Sequence, residues 1–147
     1  MLAGEPALAA ALMLDLPERG LFAEDAATRR RLHALRALGA GLALDDFGQG
    51  TLPLAGLREG DFDVLKITRA LVAGLDAEAA QSGLAAALLG LGQALGLPVI
   101  AKGVETAAQA RALRALGCTR ALGFHFAPPL TPEAFSGLLA GGHTLPR

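Results

Sequence analysis

A chain of 147 residues with 13 basic and 14 acidic side chains has a formal net charge of −1. That is enough length for one buried core, with no cationic excess to draw it onto a nucleic acid polymer or an anionic membrane. The single cysteine, Cys118, excludes an internal disulfide and agrees with a reducing compartment. Charges or prolines interrupt every apolar run before the roughly 20 residues that a membrane span requires, and Met1–Pro6 lacks the basic start of a signal peptide, so a cytoplasmic protein is expected.

In chain order, short apolar runs stand at Leu12–Leu16, Gly41–Leu44, Val64–Ile67, Pro98–Ala101 and Ala121–Phe124. None alternates strictly, which predicts strands covered on both faces. Helical segments separate them. Asp25 is placed to cap a helix through Leu38 that shows Leu32, Leu35 and Leu38 on one face and stops at Gly39. Arg29-Arg30-Arg31 reads as its solvated side. Glu78–Leu95 predicts a long helix weakened by its internal glycines, each costing about 1 kcal/mol relative to Ala. Thr106-Ala107-Ala108-Gln109 is a capping box, so a helix starts there and ends at Gly117, and Thr131-Pro132 opens the last one. Strand and helix alternate five times, which implies parallel strands joined by crossovers. Residues 1–140 form the domain, with Gly141–Arg147 a frayed tail.

Chemistry in such folds gathers where the strands end, and the polar residues follow that rule. Asp15 and Glu18 come after the first run, Asp45 and Asp46 after the second, Lys66 and Thr68 at the third, Lys102 and Glu105 at the fourth, and His125 at the fifth. Adjacent carboxylates, a lysine and the Gly48-Gln49-Gly50 loop suit a phosphate and a divalent metal, although carboxylates at strand ends also serve as helix caps. Lys66, flanked by Leu65 and Ile67, needs an acidic partner if it turns inward. His125, between Phe124 and Phe126, reads as a packed or rim histidine, and Cys118 as structural.

Leu44-Asp45-Asp46-Phe47-Gly48, Val64-Leu65-Lys66-Ile67, Gly103-Val104-Glu105-Thr106 and Leu116-Gly117-Cys118, in this order and spacing, resemble the EAL domain family. Gly123-Phe124-His125-Phe126-Ala127-Pro128-Pro129-Leu130 looks like that family's closing segment. The resemblance implies a (β/α) barrel phosphodiesterase that opens cyclic di-GMP with two Mg or Mn ions. It further implies a metal-binding role for Asp15, Asp45 and Asp46, loop support from Glu18, remnant catalytic roles for Lys66 and Glu105, and nucleotide contacts from Asp46, Lys66 and Gly123.

The departures from that pattern carry as much information as the matches. Lys102 stands where the family has the glutamate usually given the general-base role, and an ammonium cannot accept a proton. Thr68 replaces the aspartate after the catalytic lysine, Gln49 and Thr51 replace a Thr and a Tyr, and Leu122 replaces a glutamine. The Glu-Ala-Leu signature itself is absent. The resemblance covers the C-terminal part of a barrel that usually takes ~250 residues, about five βα units, so a partial TIM-like α/β barrel with two open edges is expected. A protein partner, self-association or the Ala3–Ala11 segment is then expected to cover them. If Lys102 faces the site, pairing with Asp45 or Asp46 would balance charge without metal. The leading functional expectation is a degenerate module that does not hydrolyse its nucleotide and acts by binding cyclic di-GMP or a protein. The alternatives are a phosphodiesterase completed by another chain and a fragment without selected function.

Overall fold

The computed structural model describes residues 6–18, 26–49, 57, 62–75 and 79–141. The expected Asp25 cap, Gly50, Thr51, Glu78 and the tail from residue 142 onward lie outside them. Five strands, β1 (Met13–Pro17), β2 (Gly41–Phe47), β3 (Val64–Ile67), β4 (Val99–Lys102) and β5 (Arg120–Leu122), form one sheet. All neighbours are parallel and the spatial order follows the chain, β1-β2-β3-β4-β5. The helices are α1 (Pro6–Ala10), α2 (Ala26–Ala37), α3 (Arg69–Ala73), α4 (Ala79–Leu95), α5 (Ala107–Ala115) and α6 (Pro132–Ala140).

The predicted elements are present, with differences at their ends. β2 runs three residues past Leu44 and so takes both aspartates into the strand, while β5 stops at Leu122 because Gly123 turns the chain. The short helix α3 was not anticipated. Its N-cap is Thr68, whose hydroxyl accepts a hydrogen bond from the Leu71 amide at 3.2 Å. The capping box at Thr106 and Gln109 is formed on both sides, and Thr131 caps α6 ahead of Pro132.

Side chains alternate between the two faces of a strand, and the register sorts them cleanly here. One face carries Leu14, Leu16, Leu42, Leu44, Leu65, Ile67, Val99 and Ala101, which join Leu71, Val72, Ala85, Leu89, Ala110 and Leu113 from the helices in the core. Gly92 on α4 serves this packing, since a methyl at that position would collide with the Val99 side chain. The opposite face carries Met13, Asp15, Lys66, Ile100, Lys102, Arg120 and Leu122. Its centre is buried, with Ala43 0% and Val64 6% exposed, while its margins are open among the described residues, Met13 being 46% and Leu122 49% exposed.

Coverage of the strands on both faces thus holds where β2 and β3 pair and is corrected for the edge strands β1 and β5. β1 and β5 alternate between exposed and half-buried positions. Among the described residues each of them pairs on one side only. The expectation that Ala3–Ala11 could cover an edge is also corrected for its described part. Ala10 lies against Gly39, in the turn before β2 at the opposite end from the carboxylates, and leaves β1 exposed.

Candidate functional site

The tips of β1, β2, β3 and β4 bring together most of the charged residues singled out from the sequence. Their arrangement begins with a backbone irregularity. Ala43 and Leu44 pair with Val64 and Leu65, but the next partners are Phe47 and Ile67, so β2 uses three steps where β3 uses two. The extra residue is a bulge at Asp45-Asp46. Asp46 adopts φ 55°, a left-handed conformation that Asp tolerates better than most residues. In a regular strand adjacent side chains diverge. Here both carboxylates reach the same ammonium group.

That group belongs to Lys102, at the end of β4. Its Nζ lies 2.5 Å from Asp45 Oδ1 and donates a 2.9 Å hydrogen bond to Asp46 Oδ1. Asp45 Oδ1 is shut off from solvent and has no aligned hydrogen bond among the described residues, so the nearby ammonium is what offsets its charge. Burial works against the charged form of Lys102, and the pull of Asp45 and Asp46 outweighs it, raising the lysine above its ordinary pKa.

A second lysine repeats the pattern. Lys66 Nζ lies 2.6 Å from both oxygens of Asp15. Since β2 lies between β1 and β3 and neighbouring strands stand about 4.8 Å apart, the lysine stem must cross β2 to make this contact. Ala43, the β2 residue in register with Asp15, offers only a methyl to the crossing. Lys66 thus has the acidic partner that its inward position requires. Its side chain is 13% exposed and that of Asp15 46%.

Glu18 braces the bulge from β1. Its carboxylate accepts a 3.0 Å hydrogen bond from the Gly48 amide, and its own amide donates to the Asp45 carbonyl at 2.9 Å. Gly48, at φ 96°, takes a turn that side chains disfavour. The loop-supporting place expected for Glu18 has this physical form, in a residue only 5% exposed.

The remaining candidates lie apart from the lysine-centred pairs. Glu105 pairs with Arg69 Nη2 at 2.5 Å. Arg69 was missed in the sequence, though it follows Thr68 at the end of β3 and so occupies the same rim. Thr68 is buried and committed to capping α3. Gly123 is held against the backbone of Val104, where any β-carbon would collide with the Val104 carbonyl oxygen and amide nitrogen. Leu122 and His125 bracket it with hydrogen bonds to the same residue, 2.9 Å from the Val104 amide to the Leu122 carbonyl and 3.0 Å from the His125 amide to the Val104 carbonyl. The His125 ring packs edge-on to Phe126, with 5.1 Å between ring centroids. Cys118 donates to the Arg120 carbonyl at 3.2 Å, and burial pushes its thiol up.

Comparison with known proteins gives the family of the chain. The family model for the EAL domain matches residues 2–129. The chain belongs to the EAL domain family. This EAL domain is 42% identical over 137 residues to the uncharacterized protein Rv1357c of Mycobacterium tuberculosis, covering 90% of this chain and 45% of that protein. It is similar to a solved structure described as the PaMucR phosphodiesterase in complex with c-di-GMP, at 32% identity and TM-score 0.81, over 86% of this chain and 51% of that one. It is also similar to Klebsiella pneumoniae BlrP1 in a manganese and cyclic-di-GMP complex, at 29% identity and TM-score 0.76, over 82% of this chain and 31% of that one. The five-stranded parallel sheet is thus a partial EAL barrel, and the chain spans less than half the length of the curated relative above.

The three aspartates do not converge as a metal-ligand cluster. Among the described residues no three Asp, Glu, His or Cys side chains are grouped to hold a metal ion. Asp45 and Asp46 are turned to Lys102, and Asp15 to Lys66. Divalent ions such as Mg bind oxygen at about 2.0–2.1 Å and need ligands whose lone pairs are available. A donor pair already closed on an ammonium does not fit one. No helix among the described residues is long and apolar enough to cross a membrane.

Proposed function

We propose that this EAL domain acts in cyclic di-GMP signalling without hydrolysing the nucleotide, through binding of the nucleotide or of a protein. The observation that carries the reading is the residue at the end of β4. Where the family resemblance calls for a proton acceptor, Lys102 offers a donor already engaged by two carboxylates. A water molecule at this rim would find no free base on β4, and the nearest acid in sequence, Glu105, is paired with Arg69.

Binding asks less of the rim than hydrolysis does, since it needs no proton acceptor. The relatives include a structure described as a c-di-GMP complex, and the rim retains Lys66, Arg69 and the Gly48 turn, which are groups suited to phosphate oxygens. The test is incubation of the purified chain with cyclic di-GMP and Mn, followed by chromatography for the linear dinucleotide, beside calorimetric titration with the nucleotide. No product together with saturable heat is the expected result. No heat leaves the protein-binding form of the reading. Linear product from the chain alone overturns it.

A further inference from the structure

We infer that Lys102 is a built-in cation that occupies the carboxylate pair and closes it to divalent metal, so that lysines instead of ions offset most of the rim's carboxylate charge. The argument starts from position. The bulge at Asp46 aims two acids at one point, and the Lys102 Nζ is at that point, 2.5 Å from one carboxylate and 2.9 Å from the other. The contact with Asp46 is a charge-assisted hydrogen bond, and that with Asp45 a close ion pair.

A divalent ion binding at the pair would have to displace the ammonium. Lys102 is only 25% exposed along its side chain, and stripping a partly buried cation of its partners is costly. Leaving it in place would set two like charges within a few ångströms of each other, where they repel strongly. Asp15 offers no way round, since both of its oxygens lie against Lys66. Three carboxylates thus meet two ammonium groups, and the set carries a net charge of −1 with no ion added. An ammonium supplies charge but neither an open coordination position nor an activated water. The inference extends the non-hydrolysing reading, giving it a physical cause.

The test is a titration with Mn alone, followed by electron paramagnetic resonance of the free ion, on the parent chain and on Lys102→Ala and Lys102→Met. The parent is expected to leave the free-ion signal intact. Each folded variant is expected to take up one Mn at the pair with affinity improved at least about tenfold, the scale on which neighbouring groups tune metal sites, and to lose it when Asp45→Asn is added. Mn uptake by the parent that Asp45→Asn abolishes overturns the inference, as do folded variants that gain nothing. Should both variants fail to fold, the parent still decides. With lysine side chains labelled at nitrogen, the Lys102 ammonium resonance stays fixed through an excess of Mg if the inference holds, and moves if Mg displaces it. Because nucleotide is absent throughout, these results are separate from product formation and nucleotide heat, on which the functional reading turns.

Discussion

The two faces of the sheet obey different physics. On the helix side, Leu42, Leu44, Leu65 and Ile67 are fully buried within the apolar core cluster. On the other side, acids and lysines from four strands hold one another in a surface that is half open. The first face supplies cohesion in proportion to area removed from water. The second gains little net cohesion, because ion pairs repay desolvation only in part. What it supplies is a fixed pattern of charge. Cohesion and charge patterning are thereby assigned to opposite sides of a single layer.

That division can be broken most forcefully from the helix side. Leu65→Ala removes a fully buried side chain from the centre of the sheet and should cost about 3 kcal/mol. Urea unfolding read by circular dichroism measures it, and a loss under about 1 kcal/mol would mean that the core is not where cohesion lies. Lys102→Ala, on the charged side, should cost less, about 1–2 kcal/mol, between the values for exposed and buried pairs. If it costs more than Leu65→Ala, the contrast between the faces fails.

A smaller and more selective effect is that of pH. The raised pKa of Lys102 means that the folded chain keeps a proton that the unfolded chain releases, so its contribution is complete below about pH 10.4 and declines as pH rises past its folded value. The thiol of Cys118, also raised, adds its own alkaline loss that begins lower, near the ordinary cysteine value of about 8.5. Lys102→Met should therefore abolish the upper part of the decline and leave the lower part, in urea melts between pH 7 and pH 11. The chain has no tyrosine to confuse the alkaline range. The mildest change is Asp15→Asn, which weakens the half-exposed pair with Lys66 and should cost no more than about 1 kcal/mol in the same melts.

The helix-facing side was the more legible one in the sequence. The five apolar runs, the capping box at Thr106 and the Thr131-Pro132 start all act through local rules, so each could be read from a few neighbouring residues. The strand-end rule likewise points to Asp15, Asp45, Asp46, Lys66 and Lys102. Two things escaped. The helix α3 is only five residues long and holds no full amphipathic period, so its signal was too short. Coverage is overestimated at β1 and β5, because an apolar run does not show whether anything closes the sheet beyond it. The register between β2 and β3 depends on atoms distant in sequence, and no local pattern announces the extra residue at Asp46.

That extra residue gives the chain an unusual separation of shape from charge. Asparagine accepts the left-handed backbone about as readily as aspartate does, so Asp46→Asn should preserve the kink in β2 while deleting one negative end of the Lys102 bridge. Leucine at the same place would delete both. A single codon of the β2 tip therefore works as two independent dials, one for where the strand points and one for how firmly the neighbouring ammonium is gripped.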